Sequence, residues 1–104
     1  AQRRIVRFDP DHAVIEYEVL PEMCHSGGVA QGGFVSGWID AAMAHAVMAR
    51  HGFDRVPISL ELKVSFFAPA NPGRVLAEGW IERAGGRTLF AEGRLTAPDG
   101  RVLA

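Results

Sequence analysis

The sequence predicts an α+β domain in which one long helix covers the apolar face of a mostly antiparallel sheet of five to six strands. Three observations carry this. The stretch from Gly33 to His51 repeats its apolar residues at three- and four-residue spacing, the period of an amphipathic helix. Other stretches alternate apolar with polar residues, the period of half-buried strands. The strands after the helix are joined by turns rich in Gly and Pro, so neighbours run antiparallel. One helix that must bury its stripe against such a sheet gives two layers. Periodicity alone leaves ferredoxin-like and cystatin-like arrangements open.

Arg4 to Phe8 reads as a first strand, closed by the turn Asp9-Pro10-Asp11-His12, where Pro presets φ and Asp favours a turn start. Ala13 to Leu20 follows, with Ala13, Ile15, Tyr17 and Val19 on one face and Glu16 and Glu18 on the other. Pro21 ends it. Cys24 to Gly33 is rich in small residues and reads as a loop into the helix. In the helix, Val35, Trp38, Ile39, Ala42, Met43, Ala46 and Val47 form the apolar stripe, and Gly52 suits the C-terminal cap. Asp40 sits mid-helix and off that stripe. Gly37, Ala41 and Ala44 beside it make a flank with little bulk, where another backbone can approach closely. Pro57 to Phe67 then alternates over its whole length. Arg74 to Arg83 and Arg87 to Thr96 form a hairpin about Gly85-Gly86, and Pro98-Asp99-Gly100 turns the chain into Arg101 to Ala104.

The chain has 104 residues, enough for one domain spanning 1–104. A domain of this size buries only about two-thirds of the surface its unfolded chain exposes, so self-association would help it. Lys and Arg number 11, Asp and Glu 12, for a net charge of −1. That balance offers nothing to attract nucleic acid or an anionic membrane surface. The apolar run from Phe34 to Ala49 contains Asp40 and His45 and is too short to span a bilayer. The single cysteine, Cys24, cannot form an intrachain disulfide, and a cytoplasmic setting fits. His12, His45, His51 and Cys24 lack metal-ligand spacing, so no metal is expected. No Gly-x-Ser-x-Gly elbow marks a Ser-His-Asp triad.

The segment Gln31-Gly32-Gly33-Phe34-Val35-Ser36-Gly37-Trp38-Ile39-Asp40 resembles the signature of hotdog-fold acyl-CoA thioesterases, more narrowly the phenylacetic-acid-degradation and 4-hydroxybenzoyl-CoA thioesterase type. The stretch Ile58 to Ala70 is similar to that family's long central strand and its Pro-Ala turn. Gly86-Arg87-Thr88-Leu89 and Asp99 to Ala104 are similar to its later hairpin and last strand. The likeness runs from His25 onward. It implies the hotdog fold, a curved sheet wrapping one central helix, and hydrolysis of a CoA thioester without a cofactor, CoA being part of the substrate. It also implies a homodimer and, beyond it, a dimer of dimers. One departure is plain: the family's motif His is Gln31 here, and six residues earlier, where many relatives carry Asn, stands His25.

The chemistry indicates which residues to watch. A thioester carbonyl must be polarised while a base or nucleophile meets its carbon. Gly32 and Gly33 open the helix, where backbone N–H groups are free and the helix dipole is positive. Glycine leaves room for a carbonyl to approach, and one such donor is worth about 3 kcal/mol. Gly33 is the expected main donor and Gly32 a substrate contact. By the resemblance, Asp40 is the base or nucleophile and projects across a dimer interface toward the partner's helix start. Pattern alone would make it a solvated helix residue. Gln31 and His25 are candidates to orient water, the carboxylate or the carbonyl. Ser59 is a candidate for the acyl end, and Lys63, Arg83 and Arg87 for the CoA phosphates. Each of these is, by pattern alone, as well read as an ordinary surface residue. Competing functions are an acyl-CoA-binding hotdog protein with little turnover, a hydratase, for which no hydration motif is present, and a structural interaction module.

Overall fold

Period-two alternation builds the sheet that the sequence leads one to expect. The computed structural model describes residues 2–25, 27–52, 62–84 and 88–104. Strand β1 (Gln2–Asp9) is followed by β2 (His12–Val19), a single 3-10 turn (Pro21–Met23), helix α1 (Gly32–His51), β3 (Gly73–Ala84) and β4 (Leu89–Thr96). The four strands lie in the order β1-β2-β3-β4, each antiparallel to the next. Ala13, Ile15, Tyr17 and Val19 face the helix and are buried, as their alternation required.

The inner face of the sheet has two kinds of row. Ile15 pairs with Ala77, which pairs with Leu95, and all three are fully buried. One rung along, Ala13 pairs with Gly79, which pairs with Gly93. This second row has almost no side-chain bulk, and the helix sits down into it. A Cβ on Gly79 would lie 2.4 Å from the Met43 nitrogen and 2.5 Å from the Ala42 carbonyl carbon. A Cβ on Gly93 would lie 2.7 Å from Ile39 Cγ2. Backbone therefore meets backbone across the layer. Ala42 and Ala46, both fully buried, are the helix's own small residues at this seat.

Both helix ends are fixed locally. Gln31 is extended (φ −63°, ψ 143°) and its carbonyl accepts from the N–H groups of Phe34 and Val35 at 3.0 and 3.2 Å. The helix thus begins at Gly32, one residue before the expected start. At the other end Gly52 adopts φ 85° and its N–H donates to the Met48 carbonyl at 2.7 Å. Arg50 reaches the β1–β2 turn, where it donates to both carboxylate oxygens of Asp11 at 3.0 and 3.1 Å.

The outer face of the sheet is charged. Glu16, only 3% exposed, lies 3.4 Å from Arg4 and 3.8 Å from Arg74. Glu78 accepts from Arg94 Nε at 2.8 Å and contacts His12 Nε2. Burial would raise the Glu78 carboxyl, but the bonds from Arg94 and His12 outweigh it and hold the group below the ordinary glutamate value.

Among the described residues the sheet has four strands, against the five to six expected. The strand expected over Pro57–Phe67 is described only from Leu62, and residues 62–67 join no ladder. They attach at their end, where the N–H groups of Phe67 and Ala68 both donate to the Leu103 carbonyl, at 2.9 and 3.1 Å. The last residues make a bridge rather than a strand: Thr96 pairs with Val102, and Leu103 N–H donates to Leu95 at 2.8 Å. Leu62, Phe66 and Phe67 are consequently exposed along this edge. The Gly85-Gly86 turn lies outside the described residues. Among the described residues no helix is long and apolar enough to cross a membrane.

The glycine seat makes a prediction about stability. Gly79→Ala forces a methyl group into helix backbone and should lower unfolding free energy by about 1–3 kcal/mol or more, the range for overpacking. Glu92→Ala, at an exposed position of β4, should stay within about 0.5 kcal/mol of wild type. Urea denaturation of the two variants beside wild type checks this, and equal midpoints for both would contradict the seat.

Candidate active site

The first turn of α1 presents two unclaimed donors. The opening N–H groups of a helix have no partner within it. Here the side chain of Gln31 makes no capping bond, and the Phe34 and Val35 N–H groups are satisfied by the Gln31 carbonyl. Among the described residues nothing accepts from the N–H of Gly32 or Gly33. Gly33 is exposed, and added bulk there would meet open space, so a substrate oxygen can reach its amide.

The loop before the helix is tied to it as a small hairpin. Gln31 N–H donates to the Met23 carbonyl at 2.9 Å, Cys24 bridges Ala30, and His25 N–H donates to Val29 at 3.1 Å. These rungs place His25 two residues beyond the helix cap, exposed. Its Nδ1 accepts the Gly27 N–H at 3.2 Å, which leaves the ring proton on Nε2. The outward edge of His25 is therefore a donor. Gln31 is exposed next to it, its side chain released from capping.

Asp40 lies on the same helix at half-burial. Seven residues separate it from Gly33, which is close to two full turns, so both lie on one face about 10 Å apart along the axis. Gly37, one turn from each, is exposed and a Cβ there would also meet nothing. The stripe Gly33, Gly37, Asp40, Ala44 faces away from the sheet. Ala44 stands one turn beyond Asp40, so no helix hydroxyl supports the carboxylate from that position.

A cleft of 320 Å³ opens beside the helix start. Val29, Ala30, Val35, Phe66, Ala68 and Leu103 are among its walls. The ring of Phe66 lies directly over Gly32: a Cβ on Gly32 would be 3.2 Å from Phe66 Cζ. In the sequence Phe66 is one member of an alternating run and, with Phe34, Trp38 and Phe67, one of the aromatic residues that would suit an aromatic or medium-chain acyl group, a content that core packing explains equally well; neither signal gives its neighbour. Of the other aromatic residues near the motif, Trp38 is a core residue stacked on Tyr17 at 5.7 Å. Burial raises the Tyr17 hydroxyl above its ordinary value.

The structure thus places Gln31, Gly32 and Gly33 at the helix start, sets His25 opposite Val29 on the hairpin that leads into it, and puts Asp40 two turns along the helix. Lys63 is exposed on the edge segment. Ser59 and Arg87 lie outside the described residues. The backbone of Arg83 pairs with Phe90 in the β3–β4 ladder, while its side chain lies outside them as well. Among the described residues no group of three or more His, Cys, Asp or Glu is placed to hold a metal ion.

This architecture recurs in solved structures. A conserved protein from Pseudomonas aeruginosa superposes with a TM-score of 0.88 at 26% identity, over 95% of this chain and 78% of that one. A hypothetical thioesterase from Streptococcus pneumoniae, solved with coenzyme A, gives 0.88 at 17% identity, over 96% and 79%. The E. coli PaaI protein of the phenylacetic acid degradation operon gives 0.85 at 17%, over 95% and 74%. The long helix packed on its antiparallel sheet is the hotdog fold of these proteins. No curated protein matches the chain in sequence. The family model of the thioesterase superfamily matches residues 27–104, a span that holds the helix start, Asp40 and the cleft, and the chain belongs to that superfamily.

Proposed function

We propose that the protein hydrolyses an acyl-CoA thioester to the free acid and CoA, at a site shared by two copies of the chain. One observation supports this above the rest. The free amide of Gly33 and the carboxylate of Asp40 lie on one helix stripe, about 10 Å apart along the axis, with the amide of Gly32 beside the first. A carbonyl held by one helix start is beyond the reach of that helix's own Asp40, since a reacting pair must come within about 3.5 Å. Two such helices packed antiparallel bring the Asp40 of each to the Gly33 of the other. The lack of bulk at Gly33, Gly37 and Ala44 permits that approach, and symmetry then gives two sites.

In this reading the thioester carbonyl oxygen accepts from Gly33 N–H, with Gly32 beside it and the helix dipole favouring the developing negative charge. The Nε2–H of His25 and the side-chain amide of Gln31 add donors around the same oxygen. Asp40 supplies the carboxylate. As base it removes a proton from water, whose oxygen attacks the carbonyl carbon; as nucleophile its own oxygen attacks and water later releases the acid. Either way the C–S bond breaks and the CoA sulfur leaves, taking up a proton. Ser59 is assigned to the acyl end, and Lys63, Arg83 and Arg87 to the CoA phosphates. The assembly is a homodimer, with a dimer of dimers beyond it, and the setting is cytoplasmic. A second reading, an acyl-CoA-binding protein with little turnover, is favoured by Gln31 standing where relatives carry His.

Thiol release from a panel of short, medium, long and aromatic acyl-CoA thioesters distinguishes them. Wild type should turn over at least one substrate. Asp40→Asn should lose at least about 100-fold in kcat while still binding acyl-CoA, the scale of a positioned acid–base group. Gly33→Pro removes the donor in a first turn that tolerates proline, and should cost about 100- to 1,000-fold in kcat with the fold retained by circular dichroism. Binding without turnover in wild type would favour the second reading. An active Asp40→Asn would remove Asp40 from the mechanism.

A further inference from the structure

A second cleft, of 220 Å³, lies at the end of the sheet where β3 begins and β4 ends. Pro69 and Pro72 from the loop before β3, Pro98 from the turn after β4, and the buried Val75 and Leu103 give it an apolar lining. Its polar lining is Asn71, Arg74 and Arg101. No acidic residue is among the described residues that line it. Both loops are held in place. In the turn after β4, Ala97 N–H donates to the Arg101 carbonyl and Gly100 N–H to the Ala97 carbonyl, each at 2.9 Å. Arg101 N–H donates to Asp99 Oδ1, also at 2.9 Å. On the other side the prolines restrict φ, and the Ala70 carbonyl accepts from Ala30 N–H at 2.7 Å.

The two arginines are unequally committed. Arg101 is exposed, and among the described residues nothing accepts from its guanidinium. Arg74 stands 3.8 Å from Glu16, beyond hydrogen-bond distance, while Arg4 lies nearer to that carboxylate at 3.4 Å. A guanidinium fork matches the paired oxygens of a carboxylate or a phosphate. The surrounding charge decides between them. Glu16 beside Arg74 and Asp99 beside Arg101 cancel part of the positive field, which suits a singly charged head better than the near-dianion of a phosphate monoester. We infer that this cleft is a binding site for a small organic carboxylate. The head lies at Arg101 and Arg74, within reach of the Asn71 amide, and the body lies against the prolines and Val75. Nothing in this requires turnover of a thioester. A cavity of about 150 Å³ already holds benzene, so the body is a single ring or a short chain.

The test is a titration of isotope-labelled protein with benzoate, hexanoate and phenyl phosphate, followed by amide NMR shifts. Benzoate or hexanoate should bind with a Kd of about 1 mM, the modest affinity open to a ligand of that size. The shifts should centre on the amides of Val75, Ala97, Gly100 and Arg101. Arg101→Gln should weaken binding by about tenfold or more, the loss of a charge-assisted hydrogen bond, and Arg101→Lys by less. Arg101 is exposed, so neither change leaves a buried group unpaired. Arg7→Gln, which removes the same charge from β1, should leave the Kd unchanged. Pro69 and Leu103 line both clefts, so Gly33 and Val35 serve as reporters of the helix start. Shifts centred on Gly33 and Val35 place the acid in the first cleft and overturn the inference. So does a Kd that Arg101→Gln does not move, or the absence of any saturable shift with the carboxylates. Tighter binding of phenyl phosphate than of benzoate overturns the singly charged head. Each of these results leaves the hydrolase reading standing, since that reading is decided by thiol release.

Discussion

The contact on which the rest of the structure depends is the approach of helix backbone to sheet backbone at Gly79. With a Cβ there only 2.4 Å from the Met43 nitrogen, the helix cannot have settled so deep over any other residue type. Gly93 and Ala13 extend the same shallow row on either side. Sinking the middle of the helix into the sheet fixes its height and its rotation together. Val35, Trp38, Ile39, Ala42 and Ala46 then point into the core. The opposite stripe, Gly33, Gly37, Asp40 and Ala44, is left facing outward. A helix standing higher on side chains would be freer to roll, and the carboxylate and the amides would lose their common face.

That single helix carries both halves of the chemistry but holds them apart. Its start offers amides and a positive dipole end; its middle offers a carboxylate. Pairing with a second copy converts a separation of about 10 Å within one chain into contact between two. The same requirement accounts for the composition of the stripe. Glycine at positions 33 and 37 costs helix propensity, up to about 1 kcal/mol each against alanine, and among the described residues nothing occupies the space it leaves. Room for a partner backbone and for substrate accounts for both glycines. The exposed edge formed by Leu62, Phe66 and Phe67 is a second surface of the lone chain that a small domain leaves uncovered.

The helix, the four strands and the two hairpins were readable in the sequence because each rests on a local period or a turn, whereas the pairing of β2 with β3 across the helix was not. So was the glycine pair with its acidic residue seven positions on, since helix geometry turns that spacing into a common face. The limits were equally physical. Gly79 and Gly93 read as ordinary glycines within strands; only the packed helix shows that they are the seat. Phe66 read as an alternating strand residue, and its place over Gly32 depends on a loop closure between segments more than thirty residues apart. The run ending at Phe67 has strand periodicity, but a ladder needs a neighbour, and within the described residues it touches one only at its end. His25 gave no hint that its ring accepts from Gly27, a bond that makes its outer edge a donor.

The most direct test of a site shared between copies is complementation. Asp40→Asn and Gly33→Pro proteins, each inactive alone, are mixed under conditions that let subunits exchange, and thiol release is followed with time. In a mixed dimer one site has both lesions and the other has neither, so activity should rise from the background of both variants as exchange proceeds. If subunits demonstrably exchange and the mixture stays at background, Asp40 and Gly33 do not meet across two chains, and the shared-site account is wrong.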